Sequence, residues 1–152
     1  MTFFEQFFSN TIFLTAAFGW LVAQILKTLI HLIVSKKFVA ERLVGSGGMP
    51  SSHSSVVCTC AASVGCISGW SSISFAIAAV MAIVVMYDAA NVRKAAGEQA
   101  KILNYIMEHR KEMRPEFLSK ELKELLGHTP LQVFAGALLG ILIGLLGTYL
   151  CA

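Results

Sequence analysis

The sequence predicts an all-α integral membrane protein, a helical bundle of about four spans with one cytoplasmic amphipathic segment. First, 56% of the 152 residues are hydrophobic and 14% are charged, whereas soluble chains carry roughly a quarter charged residues. Second, several apolar runs are long enough to cross a bilayer. Third, the basic residues concentrate in two connections. The length fits a single domain, residues 1–152. Acids interleave with the bases, which argues against a nucleic-acid partner.

The first span is predicted from about Thr11 to Val34, a length that covers the hydrocarbon core. Before it, four phenylalanines fall on one helical face and suit the membrane interface. Gln24, Lys27 and His31 interrupt the apolar run. Gln24 and Lys27 either line a site or form a structural pair, and the sequence favours neither.

The second and third spans are predicted from about Pro50 to Trp70 and from Ile73 to Asn91. Only a few residues join them, so we expect a tight antiparallel pair. The charged but periodic stretch from Arg93 to Leu126 predicts amphipathic helices broken at a proline, lying on the membrane surface or capping the bundle.

The last span is predicted from Pro130 to about Cys151. Gly136, Gly140 and Gly144 give two overlapping GxxxG steps, whose default explanation is close helix packing. The same face could instead pair with another copy of the chain, which makes a homodimer an open alternative.

Eleven of the twelve Lys and Arg residues lie between Lys36 and Lys123, in the first and third connections. The positive-inside rule places both connections in the cytoplasm. We therefore predict a multi-pass protein of the cell membrane with both termini outside.

The stretch GGMPSSHSS opens the second span. Its proline suits the first helical turn, and Ser51 or Ser52 can cap the helix. A helix start binds anions through free N–H groups, and Gly47 and Gly48 let backbone approach a ligand closely. Capping alone explains the serines and the proline. It leaves both glycines and the proton-donating His53 unexplained, so an anion site is the preferred interpretation.

A second helix start is predicted within LLGHTP, residues 125–130. There Thr129 can cap the last span and Pro130 can occupy its first turn. His128 then projects on the same cytoplasmic side as His53. One neutral imidazole can attack phosphorus while the other protonates the leaving oxygen. A lone histidine at a helix boundary is usually structural, but two on one face favour a phosphate site.

Asp88 lies in the final turns of the third span, and an ionisable residue there is a functional candidate. Arg93 follows five residues later and can bind phosphate oxygens bidentately. The alternative is an Asp88–Arg93 or Asp88–Lys pair that holds the bundle together.

The motifs PSSHS and GHTPLQVFAGALLG resemble the type-2 phosphatidic acid phosphatase superfamily, which includes the vanadium-dependent haloperoxidases. With MYDAANVR and AAGEQAKILN, the chain looks like a small divergent membrane branch, acid phosphatase/vanadium-dependent haloperoxidase related. The match covers nearly the whole chain. The resemblance implies that His128 is the nucleophile and His53 the general acid.

The chain departs from the superfamily pattern at several positions. Ser52 stands where the family has Gly, Gln132 where it has the Asp that orients the nucleophile, and Leu122 where it has Arg. We hypothesise that Asp88 orients His128 and that Arg93 supplies the missing guanidinium. The first family motif has no counterpart before PSSHS. Lys36, Lys37 and Arg42 are present there, but without the spacing of that motif. The predicted phosphate-binding set is Arg93, Lys37, Gly47, Gly48, Ser51 and Ser52.

Two classes of function follow. The first is a phosphatase that hydrolyses a phosphate monoester or pyrophosphate of a lipid at the cytoplasmic leaflet through a phosphohistidine, with no metal or other cofactor. The second is a lipid-phosphate binder or transporter that keeps the anion site without turnover, which the missing Asp and Arg favour. A purely structural membrane protein is a weaker third alternative.

Overall fold

The computed structural model describes residues 2–36, 48–109 and 128–151, apart from the side chains of residues 92–94, 108, 109 and 151. These residues form six α-helices and one π-helical turn, in agreement with the predicted all-α class. The elements are α1 (Phe3–Phe8), α2 (Thr11–Ser35), α3 (Ser52–Ser68), α4 (Ile73–Tyr87), the π-helical turn (Asp88–Val92), α5 (Arg93–His109) and α6 (Pro130–Cys151).

Within the described part of the chain, three helical stretches are long and apolar enough to cross a membrane: Thr11–Ser35, Ile73–Met107 and Pro130–Leu150. Helix α3 has only 17 residues, which corresponds to about 25 Å of rise. That is slightly shorter than a hydrocarbon core of roughly 30 Å. The predicted count of about four spans therefore depends on α3.

Helix α3 lies at the centre of the bundle and packs against α2, α4 and α6. Small side chains allow this, since Ser54, Ser55, Thr59 and Ser63 are fully buried. Two of these hydroxyl groups donate to backbone carbonyls: Thr59 to that of Ser55 at 2.8 Å and Ser55 to that of Gly19 at 2.9 Å. A helix surrounded by other helices needs no large apolar side chains facing lipid.

The glycines of α6 face α3 within the same chain. A Cβ atom at Gly136 would fall on the carbonyl oxygen of Ser51, and one at Gly140 on that of Ser55. At Gly144 it would lie 2.7 Å from the Ala62 Cβ. The glycine face is thus occupied by an internal helix contact, and the packing interpretation of the GxxxG steps describes this structure.

The third span continues directly into the amphipathic segment. Its predicted end at Asn91 falls inside the π-helical turn, and α5 follows without a break. Residues 87–93 contain neither proline nor glycine, so nothing in the sequence stops the helix. The Arg114–Pro115 break predicted further along lies outside the described residues.

Candidate functional site

The site forms where α3 and α6 begin. The Ser51 side chain caps α3 by accepting from the Ser54 N–H at 3.3 Å. The Ser51 N–H donates to the Gln132 carbonyl in the first turn of α6, at 3.0 Å. This bond and the Gly136 contact hold the two helix starts side by side, so that their positive dipole ends face one region.

His53 and His128 lie together at these helix starts. Their ring centroids are 6.2 Å apart, with an angle of 61° between the ring planes. His128 is buried, with 3% of its surface exposed, and His53 is partly buried. One phosphate-sized group could contact both rings from a single position.

His128 is fixed by its backbone and by its ring. Its N–H donates to the Ala89 carbonyl in the π-helical turn at 2.9 Å. Its ring Nδ1 lies 3.1 Å from Gln132 Oε1. His128 therefore links the π-helical turn, through its backbone, to the start of α6, through its ring.

The neighbourhood of Gln132 also determines the tautomer of His128. The Thr129 N–H donates to Gln132 Oε1 at 3.2 Å. A backbone N–H can only donate, so the amide atom facing it must be the oxygen. The same oxygen faces Nδ1, which must therefore carry a proton. In the neutral ring the lone pair is then on Nε2, which is the form that a nucleophile needs.

By the superfamily pattern, Gln132 is the loss of an orienting carboxylate, because it carries no charge where the superfamily has Asp. In the structure its amide oxygen takes the position of an orienting acceptor on His128. The i, i+4 spacing from His128 on the start of a helix was the signal that could have revealed this contact.

Asp88 is the first residue of the π-helical turn and is half-buried. It immediately precedes Ala89, whose carbonyl receives the His128 N–H. Because Gln132 already contacts Nδ1, the hypothesis that Asp88 orients His128 has a competitor at that nitrogen. The catalytic assignment of Asp88 stays a prediction.

Lys27 joins this site from α2. Its side chain is 2% exposed, and Nζ donates to Gln24 Oε1 and, at 3.3 Å, to Ser52 Oγ. Gly48, with φ of +90°, packs on its aliphatic stem, because a Cβ there would lie 3.0 Å from the Lys27 Cγ. Lys27 thus contacts the PSSHS motif. The sequence alone favours neither a role in the site nor a structural pair with Gln24. A lysine inside an apolar span was the available signal.

Only some of the remaining predicted phosphate ligands fall within the described residues. Gly48, Ser51 and Ser52 lie at the start of α3, close to Lys27 or α6. Gly47 and Lys37 fall outside the described residues, and of Arg93 only the backbone is described, at the start of α5. Within the described ranges, no group of three or more His, Cys, Asp or Glu residues could hold a metal ion, and the absence of a metal from the chemistry stays a prediction.

A bundle of apolar helices with two histidines at adjacent helix starts defines a membrane protein with a candidate anion site. The model of the Divergent PAP2 family matches residues 8–143. The chain therefore belongs to this family. It is similar to the "uncharacterized membrane protein YuiD" of Bacillus subtilis (strain 168), with 37% identity over 155 residues that cover 95% of this chain and 98% of that protein. No solved structure matches the chain. The predicted resemblance to a divergent branch of the superfamily is confirmed.

Proposed function

We propose that this protein is a membrane phosphatase that hydrolyses a phosphorylated lipid through a phosphohistidine on His128. The observation that carries the proposal is the pairing of His128 with His53, combined with the Gln132 contact at Nδ1, which directs the lone pair of the neutral ring to Nε2. Membership of the Divergent PAP2 family supports the same reaction class.

In the first step, Nε2 of His128 attacks phosphorus and the bond from phosphorus to the lipid oxygen breaks. Protonated His53 gives its proton to that oxygen, so the lipid alcohol leaves neutral. Gln132 Oε1 holds the Nδ1 proton throughout and stabilises the positive charge that develops on the ring.

In the second step, water replaces the histidine on phosphorus. Neutral His53 takes a proton from the water as the new oxygen–phosphorus bond forms and the nitrogen–phosphorus bond breaks. Inorganic phosphate leaves, His128 regains its lone pair, and His53 is again protonated for the next lipid. His53 alternates between acid and base, so the cycle requires no third acid or base.

We assign the neutralisation of the phosphate oxygens to three groups. The Lys27 ammonium reaches the start of α3 at Ser52, the first turn of α3 has backbone N–H groups besides the capped one of Ser54, and the backbone of Arg93 begins α5. Phosphoryl transfer depends mainly on such positioning and charge stabilisation. Helix N-termini favour anions for the same reason.

A lipid-phosphate binder or transporter is the second candidate, and the neutrality of Gln132 favours it. An amide oxygen stabilises an imidazolium less than a carboxylate does. A chain that had kept the anion contacts but lost turnover would show this replacement.

Phosphate release by the purified protein from a panel of lipid phosphates separates the candidates. A phosphatase releases phosphate, and His128→Ala abolishes the release. A radiolabelled lipid phosphate should also leave a base-stable, acid-labile label on the wild type and none on His128→Ala. Saturable lipid binding without release would favour the binder. Undiminished release by His128→Ala would overturn the phosphohistidine mechanism.

A further inference from the structure

An apolar groove of about 470 Å³ lies between α2, α3 and α4. Nine side chains line it, and none of them is charged. Helix α3 forms its floor, because α2 and α4 both pack against α3. Trp20 and Met81, on opposite walls, stay 41% and 60% exposed, so the side of the groove opens toward the bilayer.

The α2 wall leads directly to the candidate site. Phe13, Ala17 and Trp20 line the groove, and the same helical face continues at Gln24 and Lys27 with alternating steps of four and three residues. Trp20 lies seven residues from Lys27, which corresponds to about 10 Å along the axis. This stripe is therefore apolar at membrane depth and cationic at its cytoplasmic end.

The other two walls show the same change of polarity. On α3, Val57 and Cys60 line the groove and share a face with His53, four and seven residues earlier. On α4, Met81 lines the groove and lies seven residues before Asp88. All three helices thus run from apolar groove residues to a titratable residue of the candidate site.

We infer that this groove holds a hydrocarbon chain of the lipid whose phosphate occupies the histidine site. The inference rests on the proposed function and adds the subsite that would select a lipid over a soluble phosphate. The walls extend from about 5 Å to about 20 Å from the level of Lys27 and His53, the depth that a tail reaches when its head stays at the interface. A volume of 470 Å³ also lies within the usual range for ligand pockets of about 300–1,000 Å³.

The chain contains two tryptophans, and only Trp20 lines the groove. We would titrate the Trp70→Phe variant in detergent with a phosphonate analogue of phosphatidic acid that carries brominated acyl chains. Bromine quenches indole fluorescence on contact, and the phosphonate cannot be hydrolysed. The Trp20→Phe variant, which reports only from Trp70 in the α3–α4 turn, is the matched control.

We expect saturable quenching of Trp20 fluorescence. Unbrominated phosphatidic acid should reverse it, and the same concentration of phosphatidylcholine should not. Trp70 should show only weak, non-saturating quenching. In the Trp70→Phe background, Ala17→Phe fills the groove and should raise the half-saturating lipid concentration about tenfold. Ala76→Phe makes the same change at an exposed α4 position outside the groove. It should leave the half-saturating lipid concentration within about twofold of the unsubstituted value.

The groove assignment is overturned if Trp20 is quenched no more than Trp70, or if phosphatidylcholine competes as well as phosphatidic acid. It is also overturned if the protein releases phosphate from glycerol phosphate as fast as from phosphatidic acid, which would leave the phosphatase proposal standing. Saturable, competed quenching without any phosphate release supports the groove while refuting the phosphatase.

Discussion

At the scale of single residues, the contacts of one amide show what orients the proposed nucleophile His128 where the superfamily pattern has an aspartate. Gln132 Oε1 accepts from the Thr129 N–H and faces Nδ1 of His128. Orientation and tautomer are therefore supplied by a neutral acceptor. What the amide lacks is the charge that would stabilise an imidazolium, so we expect a slower enzyme rather than an inert one.

Replacing Gln132 tests this contact. Gln132→Met keeps the side-chain length but removes the acceptor, and should lower phosphate release about 100-fold because Nδ1 is no longer held. Gln132→Glu keeps the acceptor and adds the charge, and should equal or exceed the wild type. Initial rates with a lipid phosphate measure both.

Asp88→Asn is the comparison for the Gln132 variants. If Asp88 orients His128, as the sequence predicts, this change should cut release by orders of magnitude and leave lipid-phosphate binding nearly intact. Full activity of Gln132→Met together with an inactive, folded Asp88→Asn would assign the orienting role to Asp88 instead. An Asp88→Asn protein that unfolds in mild detergent would identify Asp88 as a partner that holds the bundle together.

Lys27 offers a test that needs no turnover. Orthovanadate, a phosphate analogue, should raise the thermal stability of the wild type, by about 2.7 kcal/mol at 100 times its dissociation constant. Lys27→Met should lose most of this increment, because the buried cation near Ser52 is gone. Lys36→Met, a change of the same kind at the end of α2, should keep it. An unchanged increment in folded Lys27→Met would restrict Lys27 to a structural role.

At the scale of helices, the sequence predicted what hydropathy and capping determine, and missed what packing determines. The start of α6 at Pro130 and the cap of α3 at Ser51 could be predicted from local chemistry. The continuation of α4 into α5 is compatible with the sequence, which has no proline or glycine in residues 87–93, but the π-helical turn within it could not be predicted. The position of Lys27 beside Ser52 likewise depends on which faces of α2 and α3 meet, and their mostly small or apolar residues left several pairings open.

The contact between α3 and α6 predicts which glycines matter. Gly140→Ala places a methyl group on the Ser55 carbonyl oxygen, so the helices must separate, at a cost of about 1–3 kcal/mol. Gly147→Ala meets only the Thr15 side chain, 2.7 Å from its Cγ2, and should cost less. Thermal unfolding in detergent measures both. If Gly140→Ala instead dissociates a dimer at unchanged monomer stability, the glycine face also joins two copies.

At the scale of the whole molecule, the bundle gives each end a different chemistry. The starts of α3 and α6 bring two histidines and two helix dipoles to one end, and α2 adds the buried Lys27. At the other end the α3–α4 turn has no charged residue from Ser68 to Ser72. Because the described helix ends that flank the two basic connections are on the histidine side, the positive-inside rule predicts that this end faces the cytoplasm.

Cysteine labelling in intact cells tests that orientation. In a background with the four native cysteines replaced, Ser71→Cys reports from the α3–α4 turn and Ser46→Cys from the first basic connection. A membrane-impermeant maleimide should label Ser71→Cys in intact cells and Ser46→Cys only after permeabilisation. The reverse pattern would place the histidines outside and move the proposed substrate to the outer leaflet, without altering the site itself. Labelling of both positions from one side would mean that α3 does not cross the membrane. The bundle would then have three spans, and the 17-residue length of α3 would be the physical reason.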